Sequence, residues 1–531
     1  MKTLLIRPGP EIVEKTLFGP WEPELAHLGK LYKEAGGLYR FLCMFEMVSP
    51  TPLLAVGSWL KELGEEVEVL DIPIHFGLPL REKGNKKRRE EFFHFFEHAD
   101  CDVVGISCTS TFESLASVRV AGIVKKANPD IKVMLGGYQG AVIADELMKQ
   151  SSAIDVIVLS DFEPIAEELM NAFKGRIPLR DVPNLVYREN GDIKRTNVQK
   201  IKVDLDQNPY YDFSIVEQYL PNYIMYSIEA SRGCPYHCSY CQERIFRSYH
   251  AVKGAERAVD ELIEAANVIA SVNNMAFFYY SDPLWGLKRS WVREFCTVLI
   301  ERRDEIKAKH FGWFMCTRFG MLKDKEFELL KKAGCATIGY GIESLSPKML
   351  KLMGRSENQK KYLQQVQETI GKTLNHDIQL YISMILGMPG ETPETLKETV
   401  EGLKKLPIDN ELLHIFTFLA YPLPKTVLEE QLTDETLKKE LGVHLWAEPD
   451  WRKGYFPKLT PLYDPSDQLS VQELTEFYLD LSEGKYGIPI FHKKLEILKG
   501  VRGLLSKEEI SPEDYLKWAK VWRRMMTTLT G

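Results

Sequence analysis

Three cysteines fall within eight residues, Cys234-Pro235-Tyr236-His237-Cys238-Ser239-Tyr240-Cys241, in the spacing C-x-x-x-C-x-x-C. They sit on a loop that opens Ser231-Arg232-Gly233 and follows the apolar stretch Tyr223 to Ala230, which reads as a short buried strand. Three thiolates on one tight loop can hold three irons of a [4Fe–4S] cube and leave the fourth open to a small molecule. Gly233 and Pro235 allow the sharp backbone path that turns the sulfurs inward, and Tyr240 can cover one side of a cluster. Zinc is the competing chemistry, because three cysteines with His237 or His250 make a tetrahedral set. The usual structural zinc signature has two separated C-x-x-C pairs, and no second pair is present.

That loop needs a scaffold, and the pattern around it supplies one. From about residue 223 to 425 short apolar strands alternate with amphipathic helices. The strands are the one before the loop, Ala276–Tyr280, Phe311–Cys316, Ala336–Ile342, Gln379–Gly387 and Leu413–Phe418. Six β/α units predict a partial barrel, whose chemistry sits at the C-terminal ends of its strands. Those ends carry Asp282, Arg318, Glu343 with Ser344, and Gly387.

Residues 1 to about 200 repeat the alternation, with strands at Thr3–Ile6, Val67–Asp71, Asp102–Ser107, Ile131–Leu135 and Asp155–Leu159. This predicts an α/β region, a Rossmann-like doubly wound parallel sheet with ligands at the strand ends. The ends are Arg7–Pro10, Ser107–Thr111, Gly136–Gln139 and Ser160–Glu163. Gly136 and Gly137 let a bulky ligand approach the backbone, and the hydroxyls of Thr109, Ser110 and Thr111 can bond its polar groups. No G-x-G-x-x-G follows the first strand, which disfavours a dinucleotide. Residues 79–100 read as a solvated helix or loop, and 185–222 as a linker with a hairpin turn at Asn190-Gly191.

The remaining composition narrows the function. The net charge of -7 and pI near 6.0 give no basic footprint for nucleic acid. No apolar run reaches membrane-spanning length, and Met1-Lys2-Thr3 runs straight into a strand without a signal peptide. Nine cysteines in 531 residues are no secreted disulfide framework, so a reducing, cytoplasmic and anaerobic setting is expected. Beyond residue 430, Trp446, Trp451, Tyr455 and Phe456 gather near Pro449, and Ser470–Glu483 and Ser511–Thr527 read as helices capping the barrel.

The cysteine loop resembles the C-x-x-x-C-x-Φ-C signature, Φ aromatic, of radical S-adenosylmethionine (radical SAM) enzymes. Gly341-Ile342-Glu343-Ser344 resembles the G-I-E-S of class B members, and Gly387-Met388-Pro389-Gly390-Glu391-Thr392 their G-x-P-G-E-T turn. Gly105-Ile106-Ser107, Gly136-Gly137 and Asp155–Glu163 resemble the cobalamin-binding domain that precedes the catalytic one. The family's Gly-Glu-Gly-Glu is here Ser160-Asp161-Phe162-Glu163. Asp71-Ile72-Pro73-Ile74-His75-Phe76-Gly77 is similar to the D-x-H-x-x-G motif that supplies a lower cobalt ligand elsewhere, but its spacing differs, so no histidine is expected beneath the cobalt.

The resemblance implies a cobalamin-binding domain at 1–200, a radical SAM partial barrel at 201–425 and a mainly helical cap at 426–531. It implies three cofactors: a [4Fe–4S] cluster on Cys234, Cys238 and Cys241, S-adenosyl-L-methionine, and cobalamin as methylcobalamin. Glu343 would take the SAM ribose and Arg318 its carboxylate, with Tyr240, Asp282, Ser344 and Gly387 around the same centre. The implied activity is methyl transfer to an unactivated carbon of a peptide side chain or small molecule. There a 5′-deoxyadenosyl radical abstracts hydrogen, methylcobalamin delivers the methyl, and a second SAM recharges it. A glutamine of methyl-coenzyme M reductase is one candidate, and flavodoxin or ferredoxin a candidate electron donor. Cyclisation or rearrangement without net methylation is the alternative, and a redox- or cobalamin-sensing module a further one.

Overall fold

The computed structural model describes residues 1–9, 48–77, 86–446, 462–490 and 520. Pro10, Pro449, Trp451, Tyr455, Phe456 and, apart from residue 520, the predicted helix Ser511–Thr527 lie outside them.

Short β-rich runs with both faces apolar must be covered by helices on both sides, and two such sheets form. In the first, β1 (Lys2–Arg7), β2 (Glu66–Asp71), β3 (Val103–Ser107), β4 (Lys132–Gly136) and β5 (Val156–Val158) are parallel in the order β2-β1-β3-β4-β5. The order reverses beside β1, so the ends of β1 and β3 border a crevice.

The expected linker at 185–222 is partly sheet. β6 (Leu185–Glu189) and β7 (Asp192–Arg195) extend the sheet antiparallel, joined by Asn190 (φ 53°) and Gly191 (φ 89°). Both turn residues are left-handed, as a two-residue hairpin requires. Leu185, Val186 and Tyr187 are buried there, which draws the strand onto β5. The charged stretch near residue 90 is a helix, Lys86–Glu97, because Phe92 and Phe96 bury one stripe of it in the core.

The second sheet is parallel throughout. It runs β8 (Tyr226–Ile228), β11 (Met275–Tyr280), β12 (His310–Thr317), β13 (Cys335–Glu343), β14 (Gln379–Leu386) and β15 (Leu413–Leu419), in that spatial order. Between β8 and β11 the chain makes a small antiparallel ladder, β9 (Ser231–Arg232) with β10 (Ala251–Val252), and this ladder flanks the cysteine loop. The helix Val471–Ser482 is capped as expected: the Ser470 hydroxyl accepts from Glu473 N at 3.2 Å. Its Tyr478 donates to the Thr417 carbonyl of β15 at 3.4 Å, so it lies against the barrel edge.

The two halves share one core. A single apolar cluster runs from Leu5 and Leu54 through Tyr223 and Tyr226 to Trp313 and Leu380. Val48 bridges to Met225, and Ser227 N donates to Ser49 Oγ at 2.6 Å, which extends β8 with a piece of the first half.

Candidate functional site

Gly233 turns the chain into the cysteine loop at φ +83°, and a Cβ there would meet the Tyr249 carbonyl oxygen at 1.8 Å. No side chain fits, so the approach of β9 to Tyr249 fixes the start of the loop. The loop is then tied from below. Ser239 N donates to the Met353 carbonyl at 3.1 Å, and Leu428 N donates to the Ser239 carbonyl at 2.9 Å. Gly354, at φ +66°, passes so near His237 that a Cβ would lie 2.9 Å from its carbonyl oxygen.

The three thiols fit a cube better than one ion. Cys234 and Cys238 are half-buried and Cys241 is exposed, all as free thiols. Their sulfurs do not all come within 4.8 Å of one another, as the ligands of one ion do. Among the described residues only His94, Glu97 and His98, all exposed, are that close.

The strand ends bring several expected residues to this loop. Tyr240 donates from its hydroxyl to Glu343 Oε1 at 3.1 Å, and Ser383 Oγ to Glu343 Oε2 at 3.4 Å. Glu343 is buried at φ +70°, a region that non-glycine residues rarely adopt. The Arg318 guanidinium stacks 4.0 Å from the centre of the Tyr236 ring and donates to the Arg355 carbonyl. Gly387, at φ +82°, donates its N–H to Glu391 Oε2 at 2.5 Å, and a Cβ on it would meet Leu474 Cδ2 at 2.5 Å. Burial pushes the fully enclosed Glu391 carboxyl up to about 7.

Two expected residues point elsewhere. Ser344 follows the end of β13, and its side chain turns toward the helix Pro393–Lys404. Its hydroxyl meets Thr399 Oγ1 at 3.2 Å and accepts from Ser346 N at 3.1 Å, on the helix side. Asp282, 2% exposed, accepts from Ala230 N at 3.0 Å and Ser231 Oγ at 2.6 Å. It lines a separate cavity of about 460 Å³ with Lys202, His250 and Lys288, and burial pushes its carboxyl up to about 7.

At the carboxyl ends of the first sheet an open cavity of about 340 Å³ reaches across to the second half. Leu53, Val56, Ile106, Met134, Leu135 and Val158 make it apolar, with Gly136, Gly137 and Thr109 at its edge and Ser281 and Pro283 opposite. A Cβ on Gly136 would meet nothing within 4 Å, so that position faces open space. Gly137 is different: its φ is +105° and a Cβ would lie 2.7 Å from the Cys108 carbonyl oxygen. Thr109 Oγ1 donates to Glu113 Oε2 at 2.6 Å, and the Ser110 and Thr111 hydroxyls are buried with no hydrogen-bond partner among the described residues, off the cavity wall. A broad apolar ligand with a polar rim, such as a corrin, fits these residues. His75 lies off that wall, with its Nδ1 3.3 Å from the Tyr219 hydroxyl.

Sequence reasoning missed the charged wall of this cavity. Arg232 pairs with Asp161 at 3.2 Å, Glu163 at 2.7 Å and Glu229 at 2.5 Å. Arg247 pairs with Asp161 at 2.6 Å, and Tyr249 donates to the same carboxylate. Burial raises the Asp161 carboxyl, yet the Arg247 and Arg232 guanidiniums hold it below its ordinary value. The segment that replaces two glycines with Ser160 and Phe162 therefore turns its acids toward the cysteine loop's flanks. It missed Arg355 as well, whose Nη1 lies 3.5 Å from Cys238 Sγ. No spacing joins residues 117 positions apart.

Comparison with known proteins agrees with this division. The model of the Radical SAM superfamily matches residues 228–403, and that of the B12 binding domain residues 43–170. An uncharacterized methyltransferase of Pyrococcus horikoshii is 26% identical over 334 residues, 62% of this chain and 69% of its own length. An anaerobic magnesium-protoporphyrin IX monomethyl ester cyclase of Rubrivivax gelatinosus is 28% identical over 312 residues, 56% of this chain and about half, 53%, of its own. Among solved structures, the radical SAM methyltransferase TsrM of Kitasatospora setae, with cobalamin and a [4Fe–4S] cluster, superposes over 100% of both chains (TM-score 0.66, 14% identity). OxsB, a cobalamin-dependent SAM radical enzyme with aqua-cobalamin and SAM bound, covers 99% of this chain and 79% of its own (TM-score 0.65, 14% identity). Both show the fold shared by these chains.

Proposed function

We propose that this chain, a radical SAM protein with a B12-binding domain, is a cobalamin-dependent methyltransferase acting on an unactivated carbon of a peptide side chain or small molecule. The observation that carries the reading is the apolar cavity at the ends of the first sheet, whose far wall, Ser281 and Pro283, is a strand end of the second. A methyl donor on one sheet and a radical made at the other would face a common space.

Cys234, Cys238 and Cys241 would hold the cluster, Glu343 the SAM ribose hydroxyls and Arg318 its carboxylate. Gly136 and Gly137 would admit the corrin, and the apolar wall excludes water from its face. When bound, the cluster with SAM supplies a carbon radical and methylcobalamin supplies the methyl group. A flavodoxin or ferredoxin would deliver the electron. A glutamine of methyl-coenzyme M reductase is one peptide candidate.

The matches to two monomethyl ester cyclases, 28% and 27% identical, favour one second reading, cyclisation or rearrangement without net methylation. Protein reconstituted anaerobically with iron, sulfide and hydroxocobalamin would be given methyl-deuterated SAM, a reductant and pooled peptides or metabolites. 5′-Deoxyadenosine and S-adenosylhomocysteine rising together, with the labelled methyl in a product, is the expected result. 5′-Deoxyadenosine without label in any product would leave the cyclase reading.

A further inference from the structure

The helix Lys86–Glu97 and the residue after it end in His94-Phe95-Phe96-Glu97-His98. Residues three and four apart share a helix face, so both histidines and Glu97 stand together. Phe92 and Phe96 are buried, with their rings 5.2 Å apart edge to face, and they fix the rotation of the helix. His94, Glu97 and His98 stay exposed. The two imidazole centres lie 4.2 Å apart, and Glu97 Oε2 lies 3.5 Å from His94 Nδ1. One ligand atom from each of the three side chains comes within 4.8 Å of the other two. His98 Nδ1 lies 3.0 Å from the His94 carbonyl oxygen. A carbonyl only accepts, so this bond puts the proton on Nδ1 and leaves the Nε2 lone pair for a metal. The negative end of the helix dipole favours a cation at the same place.

We propose that His94, Glu97 and His98 form a second metal site, for one divalent ion of the zinc class, apart from the cysteine loop. Two imidazoles and a carboxylate suit zinc and its neighbours, whereas calcium and magnesium take oxygen ligands. The same order, His-x-x-Glu-His, binds zinc in one class of metallopeptidase. Here the three side chains are exposed, so no closed cleft excludes water, and the site is one of binding rather than hydrolysis. No fourth His, Cys, Asp or Glu is as near among the described residues, so water completes the tetrahedron. A cavity of about 350 Å³, lined by both histidines, brings Lys2, Glu68 and Asp100 beside them, near the amino ends of β1, β2 and β3. The apolar cavity lies at the opposite, carboxyl ends, roughly one strand length or about 17–20 Å away. The site therefore stands independently of the radical SAM reading. The ion would tie the last helical turn to the residue that leaves it, and a ligand held only by the folded chain stabilises that chain.

The test uses the full-length protein, reconstituted anaerobically with iron and sulfide so that the cysteine loop is filled, as wild type, His94→Ala, His98→Ala and Glu97→Gln. Zinc chloride is titrated by calorimetry, and bound zinc is counted with iron after desalting. Wild type should take one zinc per chain beyond its iron. Each histidine substitution should weaken zinc at least about tenfold, because loss of even an outer partner of a metal ligand costs about 10–100-fold. Iron content and the far-ultraviolet spectrum should not change. Glu97→Gln should weaken zinc as well. Zinc should raise the melting temperature of wild type and leave that of His98→Ala where it was. Cobalt(II) in place of zinc should give wild type visible ligand-field bands without sulfur-to-cobalt charge transfer, a readout that needs no variant. No zinc beyond the iron, a thiolate signature in the cobalt spectrum, or unchanged affinity in both histidine variants would overturn the site. A chain that takes up no iron is alkylated at its cysteines and titrated in the same way, so failure of the cluster reading does not decide this one.

Discussion

Glu343 sits at φ +70°, with its carboxylate fixed by Tyr240 and Ser383. A non-glycine residue in that region costs about 1–3 kcal/mol, and such strain persists where the surroundings over-determine it. Here β13 shifts register against β14 between Gly341 and Glu343, which lifts the carboxylate toward the cysteine loop. Glu343→Ala should weaken SAM binding by about 2–5 kcal/mol while the iron content holds. Calorimetry with SAM on the reconstituted protein measures it, and affinity within twofold of wild type would refute the ribose role. Asp282 gives a pH prediction. Its carboxyl is raised from 3.8 to about 7 by burial, so the folded state keeps a proton that the unfolded chain has released. Stability should therefore fall as pH rises from about 4 to 7, by up to about 1.4 kcal/mol per unit. Asp282→Asn should flatten that slope in urea unfolding, compared with wild type at each pH.

Elements decide which glycine can report on the corrin site. Gly136 ends β4 and faces open space, whereas Gly137 is locked by its φ and the Cys108 carbonyl. Gly136→Leu should abolish hydroxocobalamin uptake, read at its visible bands, with unchanged melting and iron content; Gly137→Leu should unfold the region instead. Retained uptake in Gly136→Leu would place the corrin elsewhere. The helix Val471–Ser482 acts at the opposite end. Leu474 from it fills the space over Gly387 that a glycine leaves open. Leu474→Ala removes a buried packing group and should cost about 2–5 kcal/mol of stability. It should also loosen the Gly387 turn, seen as faster amide exchange there.

At the scale of the molecule, the halves are joined by a shared apolar core and by the Arg232, Arg247 and Asp161 ion pairs. Removing one partner of a buried pair leaves an uncompensated charge. Asp161→Ala should cost about 3–5 kcal/mol and split a single unfolding transition into two. One calorimetric transition, displaced by less than a degree, would show that the ion pairs contribute nothing to the joint. Among the described residues no helix is long and apolar enough to cross a membrane.

Local chemistry determined much of this protein. The period of apolar residues places β1 to β5 and the six parallel strands of the second sheet, because burial on both faces leaves near-continuous apolar runs. The cysteine spacing and the glycines at 233, 136 and 137 are likewise local, since a turn or a close approach restricts the residue at that position alone. The Asn190-Gly191 turn was legible for the same reason, but not the sheet edge it joins, because pairing with β5 is a contact between distant segments. The facing of side chains at strand ends was decided by tertiary structure. Ser344 and Asp282 lie in the right sequence neighbourhood, and packing against the helix Pro393–Lys404 and the β9 ladder turns them to Thr399 and Ser231. The partners of Cys238, Arg232 and Asp161 were also beyond any local pattern. A charged group in a folded interior takes whichever partner the packing brings beside it, and for Arg355 that is a thiol 117 residues away.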